Sequence, residues 1–487
     1  MFSLRPILYL IGHLLVALAL WMVIPMGLDI LDGHGDWAAF ALGGGVTFFV
    51  GWLLMLINRD SGIRVNLQQA FVFTTLAWVI IAAFGALPIL MAEPALGVAG
   101  AYYESMCGLS TTGGTVIPDL DAVSRGVILW RALLNWIGGV GIIVMAVAIL
   151  PTLQVGGMQL FKREASSDTS EKVIPKVRDL AGRIITTYLV LSFLCALGYW
   201  WAGMGWFDAI CHMMATISTG GYSTEDAGVG AFSGAHPNVE WVGVIFMTAG
   251  ALPFLMYIRL AQGDWGVLRR DSQIRVFLGI TLLAVLAVTV QRYALSDGTQ
   301  SFSDMLRVTA FNIVSIISGT GLVSADYMQW TGFAVSAMFL LVFFGGCAGS
   351  TSGAIKTYRL QILWELMRIQ GRKLLRPHGV FVPYYNRRPV NPDVIESVSA
   401  FFFLYIASFL ILSFLLAAMG YDMVTSLSAI AANLANCGPG LGPIVGPAGS
   451  YATLSDPAKW LLSVTMLLGR LEFYTVLVLF SRPFWRT

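Results

Sequence analysis

Long apolar runs separated by short polar stretches are the dominant pattern of this chain. The first run extends from about residue 7 to 27 and the second from about 37 to 57. Further runs of comparable length follow at residues 71–91, 126–150, 184–201, 241–260, 276–291, 330–344, 397–419 and 460–480. Because a helix of about 20 apolar residues crosses the hydrocarbon core of a bilayer, the pattern predicts ten transmembrane helices.

A shorter apolar segment, followed by a turn of small residues, lies inside each of the last four pairs of runs. Such a segment is too short to cross a bilayer, so it is predicted to enter the membrane as a half-helix and return. We number the turns by their residues: turn 1 (110–115), turn 2 (218–222), turn 3 (318–322) and turn 4 (436–440). Each turn carries a glycine, and these glycines recur about every hundred residues, which indicates a repeated unit. They are Gly113, Gly220, Gly321 and Gly438.

We therefore expect an all-α integral membrane protein built from four tandem membrane-pore-membrane units in a pseudo-fourfold arrangement around one pore. Each unit has an outer helix, a half-helix with its turn, and an inner helix. Two N-terminal transmembrane helices, in residues 1–65, precede the units. The expected units cover residues 66–160, 161–270, 271–390 and 391–487.

The turns are candidates for an ion selectivity filter. Glycine permits positive φ and removes the side chain, so backbone carbonyls can face an open axis and replace part of the water shell of a cation. The half-helices would direct their negative C-terminal ends toward that ion. The expected ligands are Thr111, Thr112, Gly113, Ser218, Thr219, Gly220, Gly319, Thr320, Gly321, Asn436, Cys437 and Gly438.

Two features of the turns qualify this interpretation. Paired glycines also serve as packing devices between membrane helices, but packing does not require a half-helix before every pair. In the expected alignment, Cys437 stands where the other three turns have threonine, and only Gly113 and Gly220 are followed by a second glycine. We expect a filter this irregular to be less selective than four copies of one motif.

Composition agrees with a membrane protein. The chain is 57% hydrophobic and 11% charged, with a mean hydropathy of +0.75, which excludes a soluble domain of this length. Its net charge of +2 gives no reason to expect a nucleic-acid partner. The five cysteines contain no C-x-x-C pair, so we expect buried thiols rather than disulfides or a zinc site.

The charged residues predict the orientation. Lys and Arg accumulate in loops near residues 59–64, 162–183, 259–275, 356–388 and 482–486. Because basic loops stay on the cytoplasmic side, both termini are expected to be cytoplasmic. The opposite side is acidic and would concentrate cations at the pore entrance. Its carboxylates include Asp29, Asp32, Asp36, Asp119, Asp121, Glu225, Asp226, Asp326 and Asp456.

The motifs together resemble the membrane subunit of Trk-type potassium uptake systems, in the Trk/Ktr/HKT superfamily. They are the glycine turns, the Trp-Arg-containing run at 130–141, the Gly-rich stretch before Lys356, and the Gly-Arg-Leu-Glu sequence at 469–472. The resemblance spans nearly the whole chain, including two extra N-terminal helices typical of the Trk branch.

The resemblance implies a function and partners. In this superfamily a glycine in every filter turn is associated with a preference for K⁺ over Na⁺. K⁺ would be the transported ion, with no covalently bound cofactor. The implied protein is a homodimer in a bacterial inner membrane, surrounded by lipid, with a cytosolic nucleotide-binding regulatory subunit.

The Gly-rich stretch that interrupts the third inner helix is, by resemblance, an intramembrane gating loop below the filter. Its residues are Gly345, Gly346, Cys347, Ala348, Gly349 and Ser350, with Lys356 at the end. The alternative is an ordinary Gly/Ser helix terminus at the interface. A phosphate-binding loop is excluded, because no Gly-Lys-Ser/Thr sequence closes the stretch.

Arg470 is an ionisable residue inside an apolar run, which is costly and usually functional. By resemblance it lies in the pore near the gating loop as an electrostatic barrier. The alternatives are a structural ion pair with Glu472 or snorkelling to the interface. We interpret Arg131 and Asn135 as supports behind the filter rather than as ion ligands.

Other function classes have weaker support. The five histidines are widely separated and neither H-E-x-x-H nor G-x-S-x-G occurs, so an enzyme is not expected. The Gly-Pro-Gly sequence at 438–440 has no βαβ pattern around it, which argues against a dinucleotide site. A proton- or sodium-coupled symporter remains the main alternative, although such carriers commonly show two inverted halves rather than four parallel units.

Overall fold

The computed structural model describes residues 3–59, 66–145, 173–296, 298 and 301–486, with the backbone alone for 173–178. The expected boundary between residues 160 and 161 and the predicted helix end at Leu150 lie outside the described residues. So do residue 65, where the N-terminal region was expected to end, and parts of the basic loops near 59–64 and 162–183.

Two long helices, α1 (Arg5–Asp32) and α2 (Trp37–Ile57), form the predicted N-terminal pair. Glycine allows their backbones to meet, because a Cβ atom on Gly12 would lie 2.7 Å from the carbonyl oxygen of Gly51. This close approach makes the two helices one packed unit beside the rest of the chain.

The next three helices are α3 (Leu67–Met91), α4 (Gly97–Leu109) and α5 (Arg125–Val144). Asn66 and Gln69 form a capping box that starts α3. The start of α5 is held by α1, because the Asp29 carboxylate accepts a 2.7 Å hydrogen bond from the backbone N–H of Gly126. The N-terminal pair is thereby fixed to the first expected unit.

The second expected unit has a break that the sequence pattern did not predict. Its elements are α6 (Val173–Trp201), α7 (Trp206–Ile217), α8 (Gly230–Ser233), α9 (Asn238–Ala251) and α10 (Phe254–Ala261). The axes of α9 and α10 differ by 95°. Pro253 lies between them and has no N–H to continue the helical ladder, so a bent pair replaces the continuous helix predicted over 241–260.

The third expected unit ends in an irregular segment. A short helix, α11 (Val267–Arg270), closes the second expected unit. The helices of the third are α12 (Ser272–Ala294), α13 (Phe302–Ile317), a 3₁₀ turn (Tyr327–Gln329), α14 (Gly332–Leu341) and α15 (Thr357–Leu375). Two short parallel strands, β1 (Phe344–Gly345) and β2 (Ile355–Lys356), close the Gly-rich loop between α14 and α15. The inner helix predicted over 330–344 is therefore reduced to the ten residues of α14.

The fourth expected unit contains a second sharp bend. Two short strands, β3 (Tyr384–Tyr385) and β4 (Arg388–Pro389), precede it at the end of the third unit. The elements of the fourth are α16 (Pro392–Ala418), α17 (Met423–Ala435), α18 (Gly442–Val445), a 3₁₀ turn (Tyr451–Thr453), α19 (Asp456–Arg470), α20 (Tyr474–Leu477), a 3₁₀ turn (Val478–Phe480) and α21 (Arg482–Arg486). Strands β3 and β4 pair antiparallel. The chain bends by 109° after α19, where Glu472 and Phe473 both have positive φ.

The described residues contain seven helices that are long and apolar enough to cross a membrane, or up to nine if each bent pair counts as one span. The tenth predicted crossing is the interrupted segment that begins with α14. Large apolar side chains cover the outside, as at Phe403 and Phe414, which are 71% and 73% exposed. Polar groups such as Arg131 and Glu104 are buried inside, an arrangement that suits a multi-pass membrane protein.

Candidate functional site

The four turns share one backbone conformation. Each follows a short helix, α4, α7, α13 or α17, and each has two residues of positive φ with one residue between them. The pairs are Thr111 (52°) and Gly113 (87°), Thr219 (53°) and Gly221 (77°), Gly319 (73°) and Gly321 (81°), and Asn436 (53°) and Gly438 (85°). Three of these eight positions are non-glycine residues in the left-handed region, which is uncommon and indicates tight surroundings.

This conformation changes the register of turn 2. The residue that matches Gly113 is Gly221, whereas the sequence alignment selected Gly220. The corresponding stretch is therefore 219–221 in place of the predicted 218–220. The second position of the turns is then Thr112, Gly220, Thr320 and Cys437. The expectation that three turns carry threonine there is wrong, because only turns 1 and 3 do.

The turns contact one another in sequence order. A Cβ atom on Gly113 would collide with the carbonyl oxygen of Gly220, and one on Gly221 with that of Thr320. Likewise, a Cβ atom on Gly321 would collide with the carbonyl oxygen of Cys437, and one on Gly438 would lie 2.6 Å from that of Thr112. Each glycine thus lies against the carbonyl of the next turn, and the fourth contacts the first.

One cavity, which we call the outer cavity, borders all four turns. It has a volume of about 90 Å³, and its lining includes Gly113, Gly221, Gly321 and Gly438. It also contacts Arg131, Glu225 and Asp226. Backbone oxygen atoms and carboxylates in such a wall suit a cation.

Hydrogen bonds behind the turns differ from one turn to another. In turns 1 and 3 a serine and a threonine hydroxyl pair at 2.7 Å, through Ser110 and Thr112 and through Ser318 and Thr320. In turn 4, Tyr451 donates a 2.7 Å hydrogen bond to the carbonyl oxygen of Gly438. The turns are alike in backbone conformation and unlike in the side chains that hold them.

A buried ion pair fixes the backbone that follows turn 1. Arg131 donates to Glu104 at 2.7 Å, and both side chains are at most 1% exposed. The second oxygen of Glu104 accepts a 2.8 Å hydrogen bond from the N–H of Val116. The Arg131 guanidinium lies 4.1 Å from the ring centroid of Tyr222, which connects this pair to turn 2. Arg131 therefore connects Glu104, in the half-helix before turn 1, with Tyr222 of turn 2.

The Gly-rich loop lies directly against the ends of two half-helices. The Thr351 hydroxyl donates to the carbonyl oxygens of Ile217 and Gly250, at 3.1 and 2.9 Å. The N–H of Ala354 donates to the carbonyl oxygen of Ala435 at 2.9 Å. Residues 347–353 are buried. The loop is therefore not an exposed helix terminus, and it packs on the side of the turns where α7 and α17 end.

Arg470 is in contact with this loop. It donates a 3.0 Å hydrogen bond to the carbonyl oxygen of Thr351. Glu472 pairs with Arg359 instead, so the alternative of an Arg470–Glu472 ion pair is wrong. The bend after α19 separates the two side chains, since Arg470 ends the helix and Glu472 has a φ of 60°.

A second cavity, which we call the inner cavity, lies beside the Gly-rich loop and has a volume of about 30 Å³. Its lining includes Ser350, Lys356, Arg470 and Glu472. The Lys356 ammonium donates to the carbonyl oxygen of Ser352. The structure thus brings the last two predicted loop residues, Gly349 and Ser350, together with Lys356 and Arg470 in the lining of one cavity.

Acidic residues lie in the wall of the outer cavity and next to it, on the side where the loop charges predicted them. Carboxylate oxygens of Asp119, Asp121 and Asp226 lie within 4.8 Å of one another, and all three residues are exposed. Glu225 is in the loop after turn 2. The pKa of Glu225 is raised to about 7, mainly because the carboxyl is partly buried. A hydrogen bond to Asp121 and the neighbouring negative charges raise it further.

Three groups at the turns were not predicted: Glu104, Tyr222 and Tyr451. Glu104 had a signal in the sequence, because an ionisable residue in an apolar half-helix is costly unless it is paired. Tyr222 donates to the carbonyl oxygen of Glu104 at 2.7 Å across a separation of 118 residues. No local pattern could indicate that contact or the one made by Tyr451.

The chain is similar to known membrane transport proteins along its whole length. The model of the TrkH family, described as a cation transport protein, matches residues 37–485. The chain is 42% identical to the Trk system potassium uptake protein TrkI of Halomonas elongata, over 99% of this chain and 97% of that protein. It is 33% identical to the Trk system potassium uptake protein TrkH of Escherichia coli K12, over 99% of each.

A solved structure is similar to the whole fold. The crystal structure of the potassium transporter TrkH from Vibrio parahaemolyticus has a TM-score of 0.89 to this chain, with 32% identity and complete coverage of both chains. These matches confirm the family that the sequence motifs indicated. The chain belongs to the TrkH family of cation transport proteins.

Proposed function

We propose that the protein takes up K⁺ across the cell membrane through a selectivity filter made of the carbonyl groups of the four turns. The observation that carries this proposal is the mutual contact of the turns, in which each positive-φ glycine lies against the carbonyl of the next turn. The printed names of the relatives, which are potassium uptake proteins, support the choice of ion.

The backbone conformation gives a physical reason. In an extended strand successive carbonyls point to opposite sides, whereas alternating left-handed and right-handed residues can turn them to one side. Carbonyls turned to a common axis would replace the water around a dehydrated cation. The proposed ligands are the predicted residues of turns 1, 3 and 4, and in turn 2 residues 219–221 in place of 218–220.

The proposed architecture is four membrane-pore-membrane units around this one path. The units follow the chain as α3–α5, α6–α10, α12–α14 and α16–α20, within the ranges 66–160, 161–270, 271–390 and 391–487. The order of contacts among the turns supports this arrangement, because the contacts run from turn 1 to turn 4 and back.

The proposed gate is the Gly-rich loop at residues 345–350, with Lys356 and Arg470. Thr351 and Ala354, which directly follow these loop residues, contact the ends of α7 and α17, where an ion leaving the filter would pass. The positive charges of Lys356 and Arg470 would oppose permeation while the loop stays in place. Movement of the loop and of Arg470 would then open the path.

The proposed setting is a bacterial inner membrane, with both termini cytoplasmic. The protein would act as a homodimer with a cytosolic nucleotide-binding subunit of the TrkA type. The phrase "Trk system" in the names of the relatives supports a multi-subunit assembly. The proposed face for that subunit is the basic stretch from 356 to 388, since basic loops are expected on the cytoplasmic side.

The test is Rb⁺ and K⁺ uptake in cells that lack their own potassium transporters, with and without the regulatory subunit. We expect uptake by the wild-type chain and a loss of about 100-fold or more in Gly438→Ala, because the added Cβ would displace the Thr112 carbonyl. Gly33→Ala is the matched control. Gly33 also has positive φ (71°), but a Cβ there would meet nothing within 4 Å.

Two outcomes would contradict the proposal. Equal losses in Gly438→Ala and Gly33→Ala would show that backbone strain alone, and not the ring of contacts, explains the effect. In liposomes, cation flux that strictly requires a proton or sodium gradient would favour the coupled symporter over an electrodiffusive path.

A further inference from the structure

The side chain at the second position of each turn fills the space behind the carbonyls. Thr112 and Thr320 do this with hydroxyls that pair with Ser110 and Ser318. Cys437 does it with a thiol directed at the carbonyl oxygen of Ile316, at 3.6 Å. Gly220 has no side chain with which to do so.

The carboxamide of Asn135 occupies the space that Gly220 leaves. A Cβ atom on Gly220 would lie 2.5 Å from Cγ, 2.6 Å from Nδ2 and 2.9 Å from Oδ1 of Asn135. No real Cβ contact is that short, so the carboxamide stands where a side chain at position 220 would be. Asn135 belongs to α5, the inner helix of the first unit, and it is fully buried.

The position of Asn135 on its helix is repeated in two other units. Gly138, three residues further along α5, lies against the carbonyl oxygen of Leu109. The same relation holds between Gly250 and Ile217 and between Gly469 and Leu434. Three residues before those glycines stand Met247 and Met466.

Met466 shows that a side chain three residues before the inner-helix glycine contacts the turn of the next unit. Its sulfur lies 3.6 Å from the Ser110 hydroxyl, so the inner helix of the fourth unit faces turn 1. The inner helix of the first unit faces turn 2 in the same way, through Asn135 and Gly220. Asn135, which is polar, thus faces the turn whose second residue is glycine, and Met466, which is apolar, faces a turn whose second residue is threonine.

Packing alone does not account for an asparagine here. Both Nδ2 and Oδ1 of Asn135 lack a hydrogen-bond partner among the described residues, although both atoms are buried. A buried amide without partners is costly, and methionine fills the equivalent position in two other units. The carboxamide fills the space behind turn 2 with a polar group, as the threonine hydroxyls do behind turns 1 and 3.

We propose that Asn135 is a positioning residue of the filter, which substitutes for the missing side chain of Gly220 and thereby sets ion selectivity. The proposal rests on the proposed function of the turns. Gly220 and Gly221 form a flexible pair that would leave the Gly220 carbonyl free to rotate. Because that carbonyl faces Gly113, a change at Asn135 reaches turn 1 as well as turn 2.

The first test is Asn135→Ala, measured as the ratio of K⁺ to Na⁺ flux. We expect the ratio to fall about tenfold, because selectivity is a difference between two affinities that depends on carbonyl placement. Gly279→Ala is the control, since a Cβ on this residue of α12 would meet nothing within 4 Å. Asn135→Ala that folds and keeps the wild-type ratio would overturn the proposal.

The second test is an exchange of side chains. Gly220→Thr alone is expected to abolish transport, because its side chain would collide with Asn135. Combined with Asn135→Gly it should recover selectivity, because Ser218 is available two residues earlier, as Ser110 is for Thr112. Gly220 has no positive φ, so its backbone accepts threonine.

The double variant also decides the matter if Asn135→Ala does not fold. A double variant that remains as inactive as Gly220→Thr, or that transports K⁺ and Na⁺ equally, would overturn the proposal, whereas recovery of K⁺-selective transport would support it. The melting temperature in K⁺ against Na⁺ gives a second readout that a merely structural role would not change. Failure of the proposed function would be visible separately, as absence of K⁺ uptake by the wild-type chain.

Discussion

The two cavities on either side of the turns have opposite charge. The outer cavity is bordered by Glu225 and Asp226, and its only cation among the described lining residues, Arg131, is paired with Glu104. In the inner cavity Glu472 is paired with Arg359, which leaves Lys356 and Arg470 in contact with backbone carbonyls. On the proposed ion path, the acidic outer cavity would attract cations and the basic inner cavity would oppose them. In each cavity one ion pair neutralises a cation of the lining, so the side chains that remain set the charge that an ion on the proposed path would meet.

The largest effect is expected when Arg131, at the outer cavity, loses the negative charge of its partner Glu104. In Glu104→Gln, Arg131 becomes an unpaired buried cation in the wall of the outer cavity. We expect the free energy of unfolding to fall by about 3–5 kcal/mol. We also expect the apparent affinity for K⁺ to fall about tenfold, because an uncompensated positive charge then borders the turns. Thermal unfolding in detergent and uptake against K⁺ concentration measure the two effects.

Glu240→Gln is the matched control for that prediction. Glu240 is also buried and pairs with Arg307, but neither residue borders the outer cavity. It should lower stability to a similar extent and leave the K⁺ affinity unchanged. An equal loss of affinity in both variants would mean that destabilisation, rather than charge at the entrance, is responsible.

An intermediate effect is expected on the inner side. Arg470→Ala removes a cation and its hydrogen bond to the Thr351 carbonyl, so the Gly-rich loop loses a contact. We expect cation flux to increase about fivefold. The exposed Arg368, which pairs with Glu365 on α15, provides the control Arg368→Ala, which should leave flux unchanged. Unaltered flux in Arg470→Ala, measured in liposomes with Rb⁺, would remove Arg470 from the gate.

The smallest effect is a pH dependence at the outer entrance. Because the pKa of Glu225 is raised to about 7, its carboxyl is largely neutral below that pH and charged above it. Cation attraction should therefore rise about twofold between acidic and alkaline medium at low salt. Glu225→Gln should abolish this dependence in uptake rates. A pH profile that is identical in the variant would exclude Glu225 as its source.

The raised pKa of Glu225 also makes the stability of the folded protein depend on pH. The folded protein holds the Glu225 proton more tightly than the unfolded chain, whose carboxyl has the ordinary value of 4.5. This group consequently favours folding below about pH 4.5, and its contribution is lost as the pH rises toward 7. Glu225 is only partly buried and solvent screens its interactions, so the effect on unfolding should be slight.

Several features of the fold and site could be predicted from the sequence. The apolar runs, the half-helices and the glycine turns depend on residues close together in the chain. Since positive φ and membrane-length helices are local properties, these elements were recognisable without coordinates. The acidic residues near the entrance followed from loop charges in the same way.

Other features depended on distant parts of the chain. The bend at Pro253 had a local signal, because proline breaks a helical ladder, but the apolar pattern runs through it without interruption. The partner of Glu472 proved to be Arg359, 113 residues away, because the chain turns at the end of α19. Proximity in sequence had suggested Arg470 as the partner of Glu472. The positive φ of Glu472 instead directs its carboxylate away from Arg470 and toward Arg359.

The sequence by itself determined that this chain crosses a membrane repeatedly and carries four glycine turns, because hydropathy and backbone freedom belong to individual residues. Tertiary structure decided which glycine of the pair in turn 2 faces the next turn. Either Gly220 or Gly221 satisfies the local requirement. Only the carbonyl of Thr320 and the carboxamide of Asn135, which come from other units, distinguish the two.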